Sequence, residues 1–92
     1  MIKKIYKFLL EVAGEQEVEM PNGARVLSVH SQNGNIAVWA EVTPEAILTT
    51  VTFYIVGTGE IPFATHFGLS PQYLGTVVMH NDSLVWHVYY KG

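Results

Sequence analysis

Ser31-Gln32-Asn33-Gly34-Asn35-Ile36-Ala37-Val38-Trp39-Ala40-Glu41-Val42 is the stretch that decides the fold. Asn-Gly accepts the positive φ that a two-residue hairpin turn needs, and it stands between two runs of alternating character. In an extended chain residues i and i+2 share a face, so Ile36, Val38, Ala40 and Val42 form one apolar side and Trp39 falls on the other. A run that alternates with period two and follows Asn-Gly reads as the second arm of a β-hairpin. The first arm is residues 24–32.

The same reading extends both ways. Residues 2–12 alternate imperfectly, with Tyr6, Phe8, Leu10 and Val12 against Lys3, Ile5, Lys7 and Leu9. Ala13-Gly14-Glu15 is a turn, after which Gln16 to Met20 places Glu17 and Glu19 outward and Val18 and Met20 inward. Pro21-Asn22-Gly23 is a second strong turn signal. Thr43-Pro44-Glu45-Ala46 has the order of an N-cap and first helical residues and predicts at most one helical turn. Residues 48–56 are β-branched and aromatic and read as a fifth strand. Gly57-Thr58-Gly59 ends it and opens a loop over roughly residues 57–71, long enough for a functional role. Residues 72–80 and 84–90 are strands six and seven, joined by a turn at His80-Asn81-Asp82-Ser83. Seven short strands with a turn signal about every ten residues predict an all-β domain spanning residues 1–92. Its expected form is a small, mostly antiparallel sandwich or partly open barrel, and the pattern leaves both closures open.

Composition bounds the function. Of the 92 residues 49% are hydrophobic and only 14% charged, whereas soluble chains average roughly 25% charged. A domain this small has little interior, so the surplus apolar surface predicts a symmetric homo-oligomer, a dimer or tetramer. The amino-terminal apolar run is interrupted by Lys7 and lacks a clean cleavage site, so it reads as a strand rather than a signal peptide. No stretch reaches the roughly 18 apolar residues of a membrane helix. There is no cysteine, which removes disulfides, thiolate metal sites and a cysteine nucleophile and fits a reducing compartment. Five Lys or Arg against eight Asp or Glu give a net charge of −3, which disfavours duplex nucleic acid. A small anion needs only one or two cations.

Candidate chemistry is sparse. His30, His66, His80 and His87 lack the spacing of metal-ligand motifs, and no metal or cofactor is expected. Glu41, Glu45, Glu60 and Asp82 form no diagnostic pair, and there is no nucleophile elbow, so the chain does not read as an enzyme. Gly57-Thr58-Gly59 is too short for a phosphate loop; it is a flexible strand end whose amides and Thr58 hydroxyl could meet an anion or base. On the last strand Leu84, Trp86, Val88 and Tyr90 share one side and Val85, His87 and Tyr89 the other. An aromatic second face carrying Trp39, His87 and Tyr89 has three explanations: a second core layer, a subunit interface, or a stacking platform for a planar ligand.

Ile5-Tyr6-Lys7, Glu19-Met20-Pro21-Asn22-Gly23-Ala24, Leu27-Ser28-Val29, Gln32-Asn33-Gly34, Val38-Trp39-Ala40, Gly57-Thr58-Gly59, Tyr73-Leu74-Gly75-Thr76 and Leu84-Val85-Trp86-His87-Val88 occur in an order that resembles a family of short proteins common in tailed bacteriophages. Relatives carry Asp-Pro where this chain has Thr43-Pro44, and a more acidic loop where it has Ile61 to Pro71. The resemblance implies a non-enzymatic anti-defence protein in the host bacterial cytoplasm, of the kind that sequesters a cyclic dinucleotide messenger at oligomer interfaces. On that reading Arg25 would hold phosphate, Trp39, Tyr73 and His87 would meet bases, and Thr58 and Gly59 would supply hydroxyl and backbone contacts. The alternative is a protein-binding phage module that inhibits a host protein or serves as a minor virion component.

Overall fold

The computed structural model describes residues 2–60 and 71–92. Seven strands run in chain order: β1 Lys4–Leu10, β2 Glu15–Pro21, β3 Arg25–Gln32, β4 Asn35–Val42, β5 Leu48–Gly57, β6 Gln72–Met79 and β7 Leu84–Lys91. They form two antiparallel sheets, β1-β4-β3 (sheet A) and β2-β5-β7-β6 (sheet B). The chain is an all-β sandwich and not a closed barrel, which settles the closure that pattern left open.

The core lies between the sheets and takes one parity from each strand. Sheet A contributes Leu10, Val29, Ile36, Val38, Ala40 and Val42; sheet B contributes Met20, Val51, Phe53, Ile55, Val77, Met79 and Val88. Tyr6 and Phe8 on β1 and Val18 on β2 share the parities expected of them, and Phe8 and Val18 pack against the core. The second parity faces outward from each sheet. Trp39 is half-buried on the outside of sheet A, and His87 and Tyr89 are half-buried on the outside of sheet B.

The turns differ in what they build. At Asn33-Gly34 both residues have positive φ, 50° and 79°, the type I′ geometry whose twist matches a hairpin. It joins β3 to β4, with Gln32 opposite Asn35. At Pro21-Asn22-Gly23-Ala24 the Ala24 amide donates to the Pro21 carbonyl at 3.0 Å, but only Gly23 has positive φ. That is a type II arrangement, and it carries the chain from sheet B to sheet A instead of folding β3 back on β2. Thr43-Pro44-Glu45-Ala46 closes with one bond, the Ala46 amide to the Thr43 carbonyl at 3.0 Å, and no helix follows. Of the predicted 57–71 loop, residues 61–70 lie outside the described residues.

Two bulges position outward-facing side chains. In β3 the register shifts between Val26 and Ser28, and in β6 between Tyr73 and Gly75. A bulge adds one residue to one strand and so reverses side-chain parity beyond it. Without the first, Val26 would stand opposite Glu41 and Arg25 would turn toward the core. With it, Arg25 pairs with Glu41 on the outer face and Leu27 is left exposed.

Candidate functional site

The second bulge builds the site. A regular β6 would place Leu74 opposite Tyr89 and point Tyr73 at the core. The extra residue instead sets Tyr73 opposite Tyr89 and keeps Thr76 opposite His87, so Tyr73 and Thr76 share the outer face of sheet B. The displaced Leu74 packs against the core.

A continuous hydrogen-bond chain results. The Tyr73 hydroxyl meets Thr76 Oγ1 at 2.5 Å, Thr76 Oγ1 meets His87 Nδ1 at 3.0 Å, and His87 Nε2 meets Thr58 Oγ1 at 2.8 Å. Each hydroxyl can donate or accept, so the imidazole is satisfied in either neutral tautomer and when both nitrogens donate. The Tyr73 ring stands edge-on to Tyr89 at 5.4 Å between centroids. One step along β7 on the same face is Lys91, opposite Thr52. The outer face of β6 and β7 therefore offers, in order, a threonine-bracketed histidine, two tyrosine rings and a cation. On the far side of β5 the parity of β2 presents Glu15, Glu17 and Glu19, so the face is acidic at that edge.

The chain ends at a cleft. β5 stops at Gly57, opposite Trp86, and Val85 and Leu84 continue past it, paired among the described residues with β6 alone. The space left is about 500 Å³ and is lined by Gly57, Thr58, Glu60, Ser83, Leu84, Val85 and Trp86. A smaller hollow of about 150 Å³, bounded by Val12, Ala13, Gly14, Ile55, Glu60 and Trp86, shares two of those walls. Trp86 lines both, and its Nε1 is buried and has no hydrogen-bond partner among the described residues. A buried N–H left without an acceptor costs about 1–3 kcal/mol.

Gly57 to Glu60 form a closed turn. The Glu60 amide donates to the Gly57 carbonyl at 3.1 Å, the Glu60 carboxylate accepts from the Gly57 amide at 2.5 Å, and Gly59 takes φ 91°. One amide expected to greet an anion is thus already bound to a carboxylate, and that negative charge disfavours phosphate here. The turn presents the Thr58 hydroxyl instead.

Of the residues expected to form a site, Thr58, Tyr73 and His87 are linked through hydrogen bonds, with Gly59 in the adjoining turn. Arg25 and Trp39 do not join them. Both belong to sheet A, whose outer face looks away from that of sheet B, so within one chain no small molecule touches both sets. Trp39 packs edge-on against His30 at 5.9 Å, and Arg25 shares the Glu41 carboxylate with Lys3, at 3.7 and 3.9 Å. Thr76, Trp86 and Lys91 are site residues that sequence reasoning passed over. The alternation of Val85, His87, Tyr89 and Lys91 signals the last, but Thr76 needs the bulge and Trp86 reads only as core. Of the other histidines, His80 lies in the β6–β7 turn and His66 is outside the described residues. Among the described residues no group of three or more His, Asp or Glu is placed to hold a metal ion. No helix among them is long and apolar enough to cross a membrane.

The match to one family's sequence profile runs over residues 1–92. The chain belongs to DUF7352, a domain of unknown function. Comparison with curated proteins and with solved structures finds no match in either.

Proposed function

We propose that this DUF7352 protein is a non-enzymatic binding protein that takes up a small nucleotide on sheet B. The hydrogen-bond chain from Tyr73 through Thr76 and His87 to Thr58, ending at a cleft lined by Trp86, whose indole N–H has no partner among the described residues, carries the proposal. A nucleobase presents adjacent donors and acceptors on a flat edge. The Trp86 N–H can donate to a base carbonyl or ring nitrogen, the Glu60 carboxylate can accept from a ring N–H or amino group, and Thr58 can do either. The apolar walls from Leu84 and Val85 suit the ring. A cleft of about 500 Å³ falls within the roughly 300–1,000 Å³ of small-molecule sites. A phosphate is best placed away from Glu60, toward Lys91. The His87 dyad with Thr58 lacks a carboxylate among its described partners to orient the ring as hydrolytic triads require, so uptake without turnover is the favoured chemistry.

The resemblance to short phage proteins supplies the biological setting of this reading: a protein of the infected bacterial cytoplasm that sequesters a nucleotide messenger of host defence, acting as a dimer or tetramer. The test is native mass spectrometry of the purified protein with a panel of cyclic di- and trinucleotides and linear nucleotides. Stoichiometric ligand mass, released intact on denaturation and lost in a His87→Ala variant that stays folded, is the expected result. A protein that remains empty across the panel overturns the proposal and moves the weight to a protein target.

A further inference from the structure

Among the described residues four strand edges are left unpaired: β1 and β3 in sheet A, β2 and β6 in sheet B. Unprotected edges recruit other strands, and proteins block them with bulges, charges or proline. β3 and β6 are both bulged. They also approach one another so closely that a Cβ on Gly75 would sit 2.9 Å from Val29 Cγ1. β2 carries Glu15, Glu17 and Glu19 and ends at Pro21. β1 has no bulge, and no described strand pairs with its outer edge. Among the described residues, five of the eleven exposed large hydrophobics, Ile2, Ile5, Tyr6, Leu9 and Val12, fall in residues 2–12. Tyr6 has the core-facing parity and is still 39% exposed, so the inner face of β1 is incompletely covered too.

We infer that β1 pairs antiparallel with β1 of a second copy, centred on Lys7, joining two three-stranded sheets into one of six strands. Two-fold symmetry about an axis through the sheet keeps outer faces together, so residues opposite one another must share parity. Centring on Lys7 sets Ile5 opposite Leu9 and Tyr6 opposite Phe8. One residue beyond the strand at each end, it sets Lys3 opposite Glu11. Centring on Tyr6 or Phe8 leaves Lys3 against Leu9 or Ile5 against Glu11, so of these three registers the one on Lys7 brings opposite charges and apolar side chains together. Lys3 is available for this: its carboxylate partner Glu41 is shared with Arg25, and its side chain remains 61% exposed. The like charges at the centre are separated, because Lys7 Nζ donates to Gln32 Oε1 on β3 at 2.7 Å, on the side of β1 away from the new edge. On the inner face Tyr6 and Phe8, 6.4 Å apart within one chain, meet their symmetry mates in a four-ring cluster that covers the exposed tyrosine.

The inference does not depend on ligand uptake, since β1 lies in the other sheet. Sedimentation velocity over a concentration series should show a dimer. Ile5→Lys with Leu9→Lys, both at exposed positions, should weaken it by roughly tenfold or more while circular dichroism stays that of the folded protein. Lys3→Glu or Glu11→Lys alone should weaken the dimer, and the two together should restore it. Independently, the cysteine-free chain bearing Lys7→Cys should oxidise to a covalent dimer, because that position pairs with itself. A monomer at all concentrations overturns the inference. So does a dimer that ignores the β1 substitutions and leaves Lys7→Cys uncrosslinked. Retained nucleotide uptake by the monomeric variant separates this result from the fate of the proposed function.

Discussion

On the proposed function, Trp86 is the residue at which folding and binding make opposite demands. Its ring belongs to the core-facing parity of β7 and packs against the core, yet its N–H is buried without an acceptor among the described residues. Trp86→Phe keeps most of the apolar ring and removes the orphaned donor. Unfolding in urea should therefore show stability unchanged or raised by up to ~1 kcal/mol, the deleted desolvation cost offsetting the lost ring area. Nucleotide affinity should fall by roughly tenfold, the value of one good hydrogen bond to a ligand. A large loss of stability would instead mark the indole as ordinary core. Gly75 is the other residue whose identity follows from contact. An added methyl would press on Val29 Cγ1, a short branched side chain that is itself buried and cannot swing aside. Gly75→Ala should cost about 1–3 kcal/mol by overpacking, and Val29→Ala in the same chain should recover part of that loss. Simple additivity of the two in denaturation would show that the β3 and β6 edges do not touch there.

At the scale of elements, alternation carried most of the information. Residues 35–42 are a strand to the residue, and the last strand ends one position beyond its predicted limit. The reason is physical: most strands bury one face more than the other, and that imposes a period of two, whereas β5, with Tyr54 and Val56 buried beside Phe53 and Ile55, is legible through its β-branched and aromatic content. Two things escaped. One is the bulges at Leu27 and Leu74, whose only sequence mark is an isolated glycine at 75; missing them misplaces Arg25, Tyr73 and Thr76 by a whole face. The other is partnership. Asn22-Gly23 and Asn33-Gly34 look alike, but one crosses between sheets and the other makes a hairpin, because the choice between one positive φ and two depends on where the flanking strands find partners. The β6–β7 turn is a third case. His80, Asn81 and Asp82 all take positive φ, 51°, 54° and 70°, held by the Ser83 amide and hydroxyl, which donate to the His80 carbonyl at 3.1 and 2.7 Å. Consecutive left-handed residues are strained for any side chain but glycine. Asp82→Gly should stabilise the protein by about 0.5–1 kcal/mol after the larger entropy of the unfolded glycine is allowed for, read as a raised midpoint in thermal or urea unfolding. Asp82→Val should lower it.

For the whole molecule, the two-layer architecture divides what the sequence had grouped. Arg25 and Trp39 were drawn into one site with Thr58, Tyr73 and His87 because all five stand out in a chain with few charges and few large polar side chains. Chain order says nothing about which of two sheets a strand will join, and joining opposite sheets sends two outward-facing residues in opposite directions. The consequence is a sharp contrast. Arg25→Ala removes a cation that is 71% exposed and paired with Glu41, a surface pair worth about 0–1 kcal/mol. It should leave both stability and nucleotide affinity within about twofold of the parent. Lys91→Ala, on the face of sheet B, should weaken binding and reduce its dependence on ionic strength, since a phosphate held by one exposed cation is screened by salt. Isothermal titration of both variants at low and moderate salt reads the two effects side by side. If Arg25→Ala weakens binding and Lys91→Ala does not, the ligand sits on sheet A. Trp39 beside His30 would then be its stacking surface, and the hydroxyl chain on sheet B would be a structural feature of the fold.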